Sequence, residues 1–432
     1  MEFDFDYLVR EDRVHRSIYL DPDIYQLEME RIFGRTWVYI GHESQVPKVG
    51  DFLTSAIGSQ PVVMARHTTA DVRILFNRCG HRGAKVVNEE NGNVRQFRCP
   101  YHGWTFNTDG SLSGVPLANG YPDSFSLENP ALSMVPVPRA DSYGGFVFAS
   151  LSDIGPDLKS YLGSITTSID EINARAPDGK VELTGGIHKY LFPGNWKLQT
   201  ENLCDMYHPA FAHESTLRAD GRQFQRGDGD KGMVVSNKGG GATEHWDETG
   251  MWAFNYGHAY QGPMPQTGEP DTPLFRRYKE MLVAKHGENR TQKILKLTRH
   301  NSMIFPNLCI QALNLHVRTI RPINAALTEV RVYPIKLTGA PEEMHRDMVH
   351  HLNQTHSATS LIQTDDLEIF RRQQQGLESQ AGDWIYFARG LGAEQPADQG
   401  GMRANGTAEI GMRNQHMAWL DHMTAPQLGT GA

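Results

Sequence analysis

Two short stretches of the chain offer thiols and imidazoles at spacings that suit a metal. Residues 79 to 83 read Cys-Gly-His-Arg-Gly and residues 99 to 104 read Cys-Pro-Tyr-His-Gly-Trp, with seventeen residues between His81 and Cys99. Cys79 and His81 come from one stretch, Cys99 and His102 from the other. Two thiolates and two neutral imidazoles suit an iron-sulfur cluster in which cysteines hold one iron and histidines the other, an arrangement that raises the potential above that of an all-thiolate cluster. Zinc takes the same donors, but zinc fingers usually set a cysteine pair against a histidine pair, whereas here each stretch brings one of each. Glycines at 80, 83 and 103 let the loops turn tightly against a bound group.

A second constellation spans residues 201 to 213, Glu-Asn-Leu-Cys-Asp-Met-Tyr-His-Pro-Ala-Phe-Ala-His. On an ideal helix His208 and His213 would point about 140° apart, so both can face one ion only if the helix breaks or bulges between them. Pro209, directly after His208, supplies a cause for such a break. Two histidines and one carboxylate form the facial triad of non-haem Fe(II) oxygenases, which leaves positions open for oxygen and substrate. Two histidines five apart are more often structural when alone; Asp205 and the Cys/His loops shift that balance.

The elements that must position these residues fall into two regions. From Trp37 to about Leu151, short apolar runs alternate with turn residues: TWVYIG, PVVMAR, VRILFN, NVRQFRC, WTFNTDGSLSG and GGFVFASL. This pattern predicts a small all-β domain, with a boundary near residue 151. Beyond it Leu158, Tyr161, Leu162, Ile165, Ile169 and Ile172 recur at helical spacing. A helix is expected from an Asn195 cap through WKLQTENLCDMYH, then a Gly-rich segment at 227 to 241, strands in LCIQALNLHVRTI and TEVRVYPIKL, and helices at 341 to 356, 365 to 375 and 409 to 422. Clustered strands flanked by helices argue for an α+β class.

At 432 residues the chain is long enough for two domains, one of them large. Its 42 basic and 50 acidic residues give a net charge of -8, against a general nucleic-acid binder. The acidic start MEFDFDYLVREDR has no basic then apolar leader, and no run of 18 apolar residues occurs, so a cytoplasmic protein without a membrane span is expected. Four cysteines are too few for a disulfide scaffold in a chain of this length.

With these residues in place, the chain resembles the large (alpha) subunits of Rieske non-haem iron ring-hydroxylating oxygenases. That family carries N-x-x-D-x-x-H-x4-H after an N-W-K segment, matched by Asn195, Trp196 and Lys197, then Asn202, Asp205, His208 and His213. The resemblance runs from TWVYIGHESQVPKVGDF to the C-terminal helix. It implies a Rieske [2Fe-2S] domain at 37–151 and a catalytic domain from 1–36 and 152–432, built on an antiparallel sheet flanked by helices. Cys79, His81, Cys99 and His102 would hold the cluster. His208, His213 and a downstream aspartate at a helix start would hold a mononuclear Fe(II). In Gln363-Thr-Asp-Asp-Leu-Glu the choice falls on Asp366, with Asp365 as the alternative, although paired aspartates at a helix start also serve as caps.

The same resemblance gives Asn202 and Asp205 catalytic roles. Asp205 would bridge subunits, accepting hydrogen bonds from His208 and, across a head-to-tail trimer, from His102. The implied reaction uses O2 and electrons from NAD(P)H, through a separate reductase or ferredoxin, to place a cis-diol on an aromatic ring, with an aromatic carboxylate as the expected substrate. A homotrimer or an α3β3 assembly with a small subunit follows, with no nucleic acid and no membrane as partner. A monooxygenase or demethylase of the same superfamily, or a Rieske electron carrier without oxygenase chemistry, are the alternatives. No dinucleotide fingerprint is present in the chain.

Carboxylate binding asks for a pocket arginine, and Arg318, Arg321 and Arg413 are the candidates. Gly227 to Gly232 resembles part of a calcium loop but lacks the terminal Glu, and Gly239 to Gly241 lacks the Lys-Ser/Thr of a phosphate loop. His350, His351 and His356 are expected to face solvent, and Cys204 and Cys309 to be small buried hydrophobes.

Overall fold

Short β-forming runs with turn residues between them become antiparallel strands throughout the first third of the chain. In the computed structural model, which describes residues 3–218, 243–263, 270–296 and 299–426, the chain divides into two compact units, Phe33–Leu158 and Met1–Ile32 with Lys159–Ala432. The two Gly-rich runs at 227–232 and 239–241 lie outside the described residues.

The smaller unit holds three antiparallel sheets. One orders the strands Arg139–Tyr143, Phe146–Ser150 and Val38–His42, and a second orders Asp71–Phe76, Gln60–Thr68, Asp51–Ile57 and Asn91–Asn93. The third orders Gln96–Arg98, Thr105–Asn107 and Leu112–Gly114. The run NVRQFRC therefore spans the end of one strand, at Asn93, and the whole of a second, Gln96–Arg98, in a different sheet. The Asn-Thr-Asp-Gly turn closes the hairpin after Thr105–Asn107, with Gly110 at φ 94° and Asp109 Oδ1 accepting from the Ser111 amide at 2.9 Å. Phe52, Val63, Leu75, Phe97, Trp104, Phe106 and Met134 pack into one core that also contains Cys79 and Cys99.

The larger unit is built on a ten-stranded antiparallel sheet among the described residues. Its order runs Val181–Leu183, Leu327–Leu337, His316–Asn324, Leu308–Gln311, Asn301–Ile304, Ala259–Gln261, Gly250–Ala253, Met402–Asn405 and Gln395–Pro396, with His188–Phe192 also paired to Leu327–Leu337. The helices Glu342–Thr355, Gln363–Leu377 and Ile410–Thr424 flank it, and Trp196–Asn202 packs against the strand His316–Asn324. The α+β class and the antiparallel sheet are as the sequence led us to expect. No described helix is long and apolar enough to cross a membrane.

Two expectations are corrected. His351 and His356 are buried, while His350 is exposed; Met344, Met348, His351, Leu352 and Thr355 form the inward stripe of their helix, and that spacing carries the histidine in with the methionines. The helix capped by Asn195 ends at Asn202 instead of running on to His208.

Candidate metal centres

The two Cys/His loops are built alike. The amide of Gly83 donates to the Cys79 carbonyl at 3.0 Å, and that of Gly103 to the Cys99 carbonyl at the same distance. Both glycines adopt left-handed backbone, φ 75° and 72°, which a side chain would strain. Cys99 also donates its amide to the Trp104 carbonyl at 2.8 Å, which ties the second loop across its hairpin. The first loop is stapled by Asn77, whose Oδ1 accepts from the amides of Val86 and Val87 at 3.0 and 2.9 Å. Gly80 has no room for a side chain, since a Cβ there would fall 2.3 Å from the Leu132 carbonyl oxygen.

The thiols of Cys79 and Cys99 are buried and form no disulfide. Burial foremost, with Cys99 alongside, pushes the Cys79 thiol up; a bound cation reverses that preference by drawing the thiolate. The His81 and His102 rings meet edge to face with centroids 4.7 Å apart, and His81 stacks on Trp104 at 4.7 Å. His81 Nδ1 is buried without a hydrogen-bond partner among the described residues. Burial, then the neighbouring His102 and Arg82, lowers the His81 imidazole, which favours its neutral, ligating form. Paired thiols, paired imidazoles, an orphaned ring nitrogen and a glycine cradle fit a Rieske cluster.

The second centre forms where a helix stops and a short one starts. Trp196–Asn202 begins at Asn195, whose side chain accepts from the Lys197 amide at 3.1 Å. After a non-helical stretch, Pro209–Ala212 makes a single turn with His208 as its N-cap and His213 as its C-cap. Pro209 therefore starts a helix, at the position where its missing N–H costs nothing, rather than breaking one between the histidines. Neither imidazole belongs to a helix interior, so the ideal-helix divergence does not arise. Met206 and Ala210 anchor the segment against Trp246, Met251 and Ile410.

His208, His213 and Asp366 each bring one donor atom into a group whose members all lie within 4.8 Å of one another. Asp366 Oδ1 is 3.4 Å from His213 Nε2 and 3.7 Å from His208 Nε2. Asn202 Nδ2 donates to Asp366 Oδ1 at 3.1 Å and lies 3.3 Å from His208 Nε2. Burial alone would raise the Asp366 carboxyl, but His213 first, then His208 and Arg318, hold it below its ordinary value. A buried carboxylate and two imidazoles gathered within 4.8 Å of one another fit a mononuclear iron.

Asp365 lies on the far side of His213, whose Nδ1–H donates to its Oδ2 at 3.1 Å. Asp205 Oδ1 accepts from the amides of Tyr207 and His208 at 2.6 and 3.3 Å, and its Oδ2 is 3.3 Å from His208 Nδ1, out of line for a hydrogen bond. Burial opposes ionisation of Asp205, but His208 outweighs it and keeps the carboxyl low. Of the three candidate arginines, Arg321 is exposed. Arg413 is tied to the Phe387 and Arg389 carbonyls and to Glu394. Arg318 is buried. The contact between Asp365 and His213 was not foreseen, although two aspartates in one helical turn were its trace in the sequence. Cys204 and Cys309 are buried.

Residues 175–425 match the family described as ring hydroxylating alpha subunit (catalytic domain), and residues 36–130 match the Rieske [2Fe-2S] domain. The 2-halobenzoate 1,2-dioxygenase large subunit of Burkholderia cepacia is 32% identical over 88% of this chain and 80% of its own length. The toluate 1,2-dioxygenase subunit alpha of Pseudomonas putida is 33% identical over 86% of this chain and 82% of its own. A solved naphthalene 1,2-dioxygenase with indole in its active site superposes with a TM-score of 0.84 at 25% identity, covering 98% of this chain and 95% of that one. The chain belongs to the ring-hydroxylating alpha-subunit family and is a Rieske aromatic ring-hydroxylating dioxygenase, whose cofactors are a [2Fe-2S] cluster and a mononuclear iron.

Proposed function

We propose that this alpha subunit is the terminal oxygenase that converts an aromatic carboxylate to a cis-diol. The observation that carries the substrate class is the similarity to a halobenzoate and a toluate dioxygenase over more than four fifths of the chain. The balanced change adds both atoms of O2 to the ring, with two electrons and two protons. In this reading Cys79, Cys99, His81 and His102 hold the cluster in the smaller unit, and His208, His213 and Asp366 hold the iron in the larger one. When bound, the cluster supplies electrons singly and the iron supplies the place where O2 is reduced.

The protein's own groups orient and gate. Asp365 fixes the His213 ring by taking its Nδ1 proton in a hydrogen bond, leaving Nε2 as the donor. Asn202 keeps its amide between the Asp366 carboxylate and the His208 ring. Asp205 is the residue we assign to electron transfer, with its carboxylate accepting from the His208 amide and lying 3.3 Å from the His208 ring in its own chain, and accepting from His102 of the partner subunit in a closed head-to-tail ring. Electrons would come from NAD(P)H through a reductase or ferredoxin that meets the exposed His102 edge. A homotrimer, or an α3β3 assembly with a small subunit, and a cytoplasmic location complete the reading.

Holoenzyme supplied with a surrogate reductase, benzoate and labelled O2 tests it. Two labelled oxygens in a cis-diol of benzoate are expected. A single labelled oxygen, or products only from uncharged arenes, would contradict the reading.

A further inference from the structure

The strand His316–Asn324 pairs with Leu308–Gln311 on one side and Leu327–Leu337 on the other, with Arg318 opposite Cys309 and Val332. Strand alternation puts His316, Arg318 and Ile320 on one face. Arg318 is 5% exposed, and its Nε has no hydrogen-bond partner among the described residues. His316 is fully buried, and neither of its ring nitrogens has a partner among them. A buried polar atom without a partner is costly, and a buried cation without a counter-charge more so.

The other cations buried among the described residues do not share this state. Arg66 faces Glu43, Lys197 faces Glu28, Arg299 faces Glu171 and Arg413 faces Glu394. Arg318 has no such ion pair among the described residues. Asp366 is not a free counter-charge for it, since that carboxylate already faces both His208 and His213.

We propose that Arg318, with His316 beside it on the same strand face, is the subsite that takes the carboxylate of an aromatic acid substrate. The inference deepens the aromatic-acid reading above and rests on it. A guanidinium presents a planar pair of N–H donors that match the two oxygens of a carboxylate. His316 adds a single donor. Burial, then the Arg318 charge, lowers its imidazole well below the ordinary value, so it contributes an N–H without a third positive charge. Its ring packs at 4.5 Å against His356, whose Nδ1 is 2.7 Å from Thr355 Oγ1, and these contacts hold the imidazole in place. Arg321, an odd number of residues along, points to the other face and pairs with Glu329 at 3.9 Å.

Calorimetric titration of the anaerobic, iron-loaded holoenzyme with benzoate and with its uncharged near-isostere benzamide tests the assignment. The wild type should prefer benzoate. Arg318→Gln should weaken benzoate on the order of a hundredfold, the scale of a lost buried charge pair, while leaving benzamide within about threefold. Arg318→Lys keeps the charge without the fork and should retain part of the preference, and it stands in if the Gln variant loses its cluster spectrum or iron. His316→Gln should weaken benzoate by about tenfold. Equal weakening of both probes in the Arg318 variants, or a wild type indifferent to the carboxylate, would overturn the subsite. Failure of the aromatic-acid reading shows separately in the wild type, as cis-diol formed from benzamide or toluene and never from benzoate; that result overturns the subsite with it.

Discussion

The Nδ1 of His213 lies 3.1 Å from Oδ2 of Asp365, the residue directly before the carboxylate that faces the other nitrogen of the same ring. One helical turn thus addresses both edges of one imidazole. In the proposed site Asp365 would fix the ring and its tautomer, and Asp366 would complete the donor set. Replacing Asp365 with Ala should lower affinity for the mononuclear iron by about tenfold to a hundredfold, measured by chelator competition, with the cluster spectrum unchanged. Asp365→Asn retains an acceptor oxygen and should lose less. Unchanged iron affinity in the Ala variant would show that the hydrogen bond does not position the ligand.

Gly80→Ala should cost the cluster rather than the iron. The added Cβ would meet the Leu132 carbonyl at 2.3 Å, backbone that cannot swing aside as a side chain could. A strain of roughly 1–3 kcal/mol placed in the ligand loop should be relieved by letting Cys79 and His81 drift. The expected result is a weakened Rieske absorption with the mononuclear iron content intact; a full cluster spectrum would contradict the close packing.

Asp205→Asn should retain both metals yet slow reoxidation of the reduced cluster by O2 and substrate, by about tenfold to a hundredfold. Single-turnover kinetics read this directly. The carboxylate is held ionised by His208 against its burial, and the amide removes that charge while keeping the shape. Wild-type rates in this variant would remove Asp205 from the electron path.

Acid should destabilise the larger unit through His258. The Phe305 amide donates to its Nδ1 at 3.1 Å and its Nε2 lies 3.0 Å from the Tyr161 carbonyl, so the native ring is neutral. Burial lowers its pKa from 6.5 to about 4. Because the unfolded chain takes up the proton first, stability is full above pH 6.5 and falls as the pH drops toward 4, by up to about 1.4 kcal/mol per pH unit from this group. Urea midpoints at pH 7 and 5 should therefore differ more in the wild type than in His258→Gln. An identical difference in the two proteins would exclude His258 as a source.

The donor sets could be read from the sequence because each is local. Cys79 with His81, Cys99 with His102, and Asn202 through His213 each sit within one short segment, and the alternating Cys/His order separates a Rieske site from a zinc finger. Asp366 was harder, since Asp365 and Asp366 share one helical turn and only the placement of that turn against His213 assigns each to a different ring nitrogen. The role of Pro209 was inverted for a similar reason: proline before a helix and proline breaking one look alike until the chain between Asn202 and His208 is seen to leave the helix. His351 could have been placed inside from its spacing to Met344 and Met348. Arg318 and Arg413 are equally basic in the sequence, and only tertiary partners show that Glu394 and two carbonyls satisfy one while the other is left without an ion pair among the described residues.

The most direct test is the metal content and spectrum of His213→Ala beside the wild type. The wild type should carry about three irons per chain, two in the cluster and one at the triad. The variant should keep the Rieske absorption and electron paramagnetic resonance signal, lose the third iron and form no diol. A variant that keeps its third iron or its turnover, or a wild type that holds zinc in place of iron, would contradict the two-centre assignment.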